Sequence, residues 1–246
     1  MKALISLSQI EIVAAGGFEK ALFQPICGVP ILTRIIENFV RKNAVSSIVI
    51  VHPPEVTGSW LTIRILESLI TPVPIETVAS EPPLSMAMLE ENQAENFINV
   101  PWNLIEGISV YSPETAALAE MKLVRNSGKS NDGIFSRFNR RLCWSTVRLL
   151  ARTHVKPNSV SFAGLLICIL AAFGFSAGHW SAYVAGSLLF FIAGLCDEMD
   201  GMLARLTFRE SAFGCWLESF TDYAGYLLVF AGMTAEDGVS GSSVPR

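Results

Sequence analysis

Between Lys156 and Asp197 the chain contains no Asp, Glu, Lys or Arg, and a further apolar run continues past Asp222. A membrane-spanning helix needs about 20 predominantly apolar residues, and three segments meet that length: about 158–178, 181–204 and 211–234. In a bilayer such segments must be helical, because a helix satisfies its own backbone hydrogen bonds. A hydrophobic content of 51% against 16% charged residues is likewise too apolar for an ordinary soluble protein. Only Gly178-His179-Trp180 separates the first two segments, a tight turn in which His179 reads as an interface residue rather than a ligand.

Acids lie within or at the rim of these segments. Asp197, Asp200, Glu218 and Asp222 occupy costly positions, and an ionisable cluster in a membrane segment marks function. On helices, Asp197 and Asp200 (i, i+3) share one face, and Gly214, Glu218 and Asp222 (i, i+4, i+8) share another. Four carboxylates facing one space repel unless a cation holds them, and oxygen-rich clusters suit Mg2+, Mn2+ or Ca2+ rather than zinc. Gly201 and Gly214 leave room for a close approach, and Arg205 offers a guanidinium fork that matches phosphate.

Asp197, Asp200, Gly201, Ala204, Arg205, Gly214 and Asp222 match the pattern D-x2-D-G-x2-A-R-x8-G-x3-D-x3-D, with Glu218 at the third Asp. In this the chain resembles the CDP-alcohol phosphotransferase family. The resemblance implies a metal-dependent membrane enzyme that moves a substituted phosphate from a CDP-linked donor, CDP-diacylglycerol or a CDP-polyol, to an alcohol and releases CMP, in phospholipid or polyol-phosphate biosynthesis. It implies that Asp197, Asp200, Glu218 and Asp222 hold Mg2+ or Mn2+, and that Asp222 is the general base. Gly201, Ala204, Arg205 and Gly214 would accommodate the nucleotide and its phosphates. Glu218 lengthens one ligand arm by a methylene, which favours reduced activity or a preference for Mn2+. Members usually have six transmembrane helices and are typically homodimers, so the expectation here is a domain cut to three spans. The alternative reading is a truncated, non-catalytic membrane protein that binds nucleotide or a partner.

Ahead of the apolar half, residues 134–153 read as an amphipathic helix in which Arg137, Arg140, Arg141, Arg148 and Arg152 interleave with large apolar residues. That pattern suits an anionic membrane surface rather than nucleic acid. By the positive-inside rule it places the start of the first span, and with it the acidic cluster, on the cytoplasmic side of the inner membrane. The segments Asp132 to Arg140 and Lys156 to Ser161 also resemble the approach to the membrane domain in enzymes similar to di-myo-inositol phosphate synthases.

Residues 1–126 alternate strand and helix patterns, which favours a parallel sheet. Expected strands are Ile10 to Ala15, Ser47 to Val51, 74–79 and 106–111; expected helices are Ile31 to Lys42, 59–70 and one from Pro113. Pro25 to Arg34, followed by a helix and a strand, resembles the nucleotidyltransferase domains that activate sugars and polyols, in a degenerate, inactive form without the Gly-rich triphosphate loop. The expected division is a nucleotidyltransferase-like α/β domain (1–126), a linker (127–133), an interfacial helix (134–153), a partial all-α transmembrane phosphotransferase domain (154–235) and a polar tail (236–246). Five scattered cysteines without a CxxC pair imply neither a disulfide framework nor zinc. Gln9 and Glu11 interrupt the first apolar run and argue against a signal peptide.

Overall fold

The computed structural model describes residues 2–7, 18–43, 46–53, 56–79, 97–101, 103–128, 133–153 and 155–240. The chain divides into two compact units, Met1–Leu123 and Val124–Arg246.

The first unit is built on a four-stranded, all-parallel sheet of β1 (Lys2–Ser6), β4 (Ser47–His52), β5 (Ile75–Ala79) and β6 (Phe97–Asn99), in the order β5-β4-β1-β6. The run Ile48-Val-Ile-Val51 is buried along its whole length, as a strand covered on both faces must be. Ile5, Ile48 and Ile50 pack on one face with Leu32 and Ile36 of α2 (Ile31–Lys42) and Leu61 and Ile65 of α3 (Gly58–Ser68), while Leu4, Val49 and Val51 form a second cluster. A short helix α1 (Phe18–Phe23) leads to a hairpin of β2 (Pro25–Ile26) and β3 (Val29–Pro30). Its turn is Cys27-Gly28, with φ of 47° and 73°.

Two charged groups of α2 are buried and paired. Arg34 Nη2 donates to the Ile26 carbonyl at 2.8 Å. Burial pulls this guanidinium down to about 10, against Cys27, Glu120 and Glu106, which act in the opposite direction, so it stays cationic at neutral pH. Glu37 accepts the amides of Ile70 (2.6 Å) and Thr71 (2.7 Å) and the Thr71 hydroxyl (2.7 Å), which ties the loop after α3 back to α2. Burial alone would push the Glu37 carboxyl up; the hydrogen bonds from Thr71 and Ile70, with Arg41 nearby, outweigh it and hold the group below 4.5.

Several expectations shift. The strand expected at Ile10 to Ala15 lies outside the described residues; among those described, the sheet begins with Lys2–Ser6. The stretch 106–111 is not one strand. Glu106 and Gly107 have φ of 51° and 76°, and they turn the chain between β7 (Leu104–Ile105) and β8 (Ile108–Ser109), an antiparallel pair. Helix α4 follows at Pro113–Asn126; of the expected linker 127–133, residues 129–132 lie outside the described residues.

The second unit is helical: α5 (Ile134–Ala151), α6 (Pro157–Ser176), α7 (Trp180–Leu206) and α8 (Ala212–Ser240). Helix α6 packs along both α7 and α8, whereas α7 and α8 meet only briefly, and α5 packs on α7. Helices α6 and α7 come close at Gly174 and Gly186, where a Cβ on Gly174 would lie 3.1 Å from the Gly186 Cα, so the pair permits backbone contact that any larger residue would block. Helices α6 and α7 are long and apolar enough to cross a membrane. The third expected span, α8, is long enough but carries Glu218 and Asp222. Phe173 (68% exposed) and Phe230 (66%) project outward from α6 and α8, a surface suited to lipid rather than water.

Candidate active site

The acids of the motif lie around two cavities. The larger, about 250 Å3, is lined by Asp197 and Asp200 from α7, Asp222 from α8, Ser161 from α6 and Asn139 from α5. The smaller, about 120 Å3, is lined by Asp200 and Glu218 together with Gly201, Ala204, Arg205 and Gly214. The face formed by Gly214, Glu218 and Asp222 is thus divided: the first two line the smaller cavity and Asp222 the larger. Ser161 and Asp200 line both.

Local hydrogen bonds hold these groups in place. The Ser161 hydroxyl donates to Asp200 Oδ2. Asp197 of α7 and Asp222 of α8 lie side by side at the larger cavity. Arg205 Nε donates to the Ser127 carbonyl at 2.6 Å, and its guanidinium lies over Gly201, 3.4 Å from where a Cβ there would stand. The space left by Gly201 is therefore taken up by Arg205. A Cβ on Gly214 would meet Ser211 Oγ at 3.2 Å and Asn158 Oδ1 at 3.6 Å. His179 caps the start of α7, exposed, with Nδ1 3.1 Å from the Ala177 carbonyl.

Among the described residues, no three His, Cys, Asp or Glu side chains gather closely enough to hold a metal by themselves. Divalent-cation chemistry nonetheless fits the larger cavity. Asp197 Oδ1 is buried there without a hydrogen-bond partner, and a buried carboxylate oxygen left in that state needs a cation or a donor. The donors around it are oxygens, as a hard cation requires.

Three contributors were not singled out by sequence reasoning. Ser161 sits one helical turn beyond Pro157 on α6, a position legible only once α6 is placed against α7. Glu198, beside Asp197, also lines the larger cavity and is bonded to α5: it accepts Ser136 Oγ at 2.5 Å and Arg140 Nε at 2.8 Å. That pair is substantially buried, with side-chain exposures of 9% for Arg140 and 18% for Glu198. One turn further along α5, Cys143 Sγ lies 3.6 Å from the Leu195 carbonyl, and burial, with Glu198 and Cys196 adding to it, pushes its thiol up to about 11, so it packs as an inert group. Asn139 lies on the same face of α5.

The acids, small residues and arginine of the motif are thus brought together at two adjoining cavities among packed apolar helices. Residues 154–242 match the CDP-alcohol phosphatidyltransferase family. Among its relatives is archaetidylinositol phosphate synthase of Methanothermobacter thermautotrophicus, 32% identical over 84 residues, which cover 34% of this chain and 42% of the relative. The corresponding synthase of Pyrococcus horikoshii is 31% identical over 75 residues, 30% of this chain and 38% of its own length. The chain therefore spans less than half the length of the curated relatives it matches.

Proposed function

We propose that the chain is an integral membrane phosphotransferase that moves a substituted phosphate from a CDP-linked lipid to a hydroxyl acceptor and releases CMP, using Mg2+ or Mn2+. The observation that carries this reading is the convergence of Asp197, Asp200 and Asp222 on one cavity, with an unpartnered buried oxygen on Asp197. The smaller cavity, with Arg205 and the small residues Gly201, Ala204 and Gly214, is the proposed seat of the nucleotide and its phosphates. Asp200, which lines both, joins the two halves of the site.

Asp197, Asp200, Glu218 and Asp222 are the proposed metal ligands. A divalent cation held by these residues would supply charge to offset that on the departing CMP and would polarise the attacked phosphorus. Asp222, exposed on α8 and beside Asp197, takes the proton of the acceptor hydroxyl as that oxygen attacks. The new P–O bond joins acceptor to phosphorus, the P–O bond to CMP breaks, and the proton remains on the Asp222 carboxyl. Ser161 orients Asp200.

In this reading α6, α7 and α8 span the membrane, α5 lies on its cytoplasmic surface, and the site opens to the cytoplasm. The first unit is proposed to be a degenerate nucleotidyltransferase-like domain that scaffolds or binds. The relatives are archaetidylinositol phosphate synthases, which directs the acceptor search to inositol phosphates, with CDP-diacylglycerol and CDP-polyols as the donors to screen. The test is CMP release by the purified chain in lipid vesicles across that panel, with and without a chelator. Acceptor-dependent CMP that stops on chelation supports the reading. Binding of CDP and metal without CMP from any pair would favour the non-catalytic alternative, for which Glu218 in place of Asp is the motivating feature.

A further inference from the structure

We infer that Asn139, on the amphipathic helix α5, supplies a further oxygen ligand to the divalent-cation site. The inference rests on the metal-dependent reading above and extends the donor set beyond the motif acids. Asn139 Oδ1 and Asp197 Oδ1 are both buried without a hydrogen-bond partner, and both residues line the same cavity. Two buried acceptors beside one cavity, with no donor assigned to either, is an arrangement that a cation resolves and a second acceptor does not.

The proposed acid ligands are divided between two cavities, with Glu218 lining the smaller and Asp197 and Asp222 the larger, so a donor from another helix at the larger cavity would add to the set there. A neutral amide oxygen from a different helix adds a donor without adding charge, and carbonyl oxygens of this kind suit hard cations. Asn139 is also held for the task. Ser136 and Arg140, on either side of it in sequence, both bond Glu198, the residue next to Asp197. The two orphan oxygens are thus carried by elements locked together one residue from each. The consequence is that the surface helix forms one wall of the site, and its seating on α7 sets cation affinity.

The test is Mn2+ binding, followed by the electron paramagnetic resonance signal of free Mn2+, to the purified full chain and to its Asn139→Ala and Asn139→Asp variants. Thermal unfolding without metal monitors their folding. Asn139→Ala is expected to weaken Mn2+ binding at least about tenfold, as loss of a supporting group does at metal sites. Asn139→Asp, which keeps an oxygen in place, is expected to bind at least as tightly as the wild type. Equal Mn2+ affinity in Asn139→Ala and wild type overturns the inference and leaves the proposed function standing, even if the acceptor KM alone changes. Should Asn139→Ala fail to fold, weaker binding by a folded Asn139→Asp overturns it instead. Absence of Mn2+ binding in the wild type would remove the metal-dependent reading, and this inference with it.

Discussion

Ser161 donates a hydrogen bond to Asp200, and the two residues stand where the nucleotide-side cavity meets the acid cavity. The hydroxyl fixes the one carboxylate that both cavities share. Removing it in Ser161→Ala leaves a buried carboxylate short of a donor, a loss of about 1.5–3 kcal/mol for a hydrogen bond to a charged group. The expected outcome is a fall of about tenfold or more in kcat/KM for CMP release, with Ser161→Thr retaining most activity. Equal rates in wild type and Ser161→Ala would show that Asp200 needs no such support.

The Glu198 carboxylate anchors α5 to α7 through Ser136 and Arg140. In Glu198→Ala the Arg140 guanidinium loses that counter-charge in a largely buried place, and a loss of about 2 kcal/mol is expected. Thermal unfolding in detergent should show a clearly lower midpoint for this variant, and a parallel loss of Mn2+ affinity if the helix shapes the site. An unchanged midpoint would mean that α5 is held by its apolar face alone.

Glu218 reaches the smaller cavity beside Asp200 with an arm one methylene longer than the family pattern carries. Mg2+ demands stricter octahedral geometry than larger cations tolerate. Glu218→Asp is therefore expected to raise CMP release in Mg2+ relative to Mn2+. The ratio of the two rates, measured at saturating metal, decides it, and an unchanged ratio would separate Glu218 from the metal.

The first unit carries its own pH signature. Glu37 is held below its ordinary value of 4.5 in the folded chain by Thr71 and Ile70, against the opposing push of burial. A carboxyl depressed on folding contributes stability that is fully present above its unfolded value and is lost as pH falls through the folded one. Unfolding of the first unit, followed by hydrogen exchange at Ile70 and Thr71, should accelerate below about pH 4.5 in the wild type. Glu37→Gln should be less stable at neutral pH and lose that acid dependence.

The sequence made the apolar helices and the acid motif legible because both depend on local composition and fixed spacing. Helix α2 could be located from the apolar stripe Ile31, Leu32, Ile35 and Ile36, and β4 from its uninterrupted β-branched run. Tertiary pairing was not legible. Nothing local to Ser161 or Asn139 announces that α6 and α5 bring them to the cavity of Asp197, and Glu198, at a variable position of the motif, gains its place only through its partners on α5. The turn at Glu106-Gly107 was missed because the flanking Ile105 and Ile108 continue an apolar pattern that only a left-handed Glu interrupts. The division of one helical face between two cavities depends on how α6 wedges between α7 and α8, which spacing along α8 does not encode.

The most direct measurement of the central claim is CMP release by wild type and Asp222→Asn side by side, with a CDP-linked lipid, an inositol phosphate acceptor and Mn2+. The carboxamide keeps the shape of Asp222 but cannot take the acceptor proton. Acceptor-dependent CMP from the wild type, falling at least about a hundredfold in the variant while CDP binding persists, is the expected result. Equal CMP release from the two proteins would contradict the assignment of Asp222 as the base at the heart of this site.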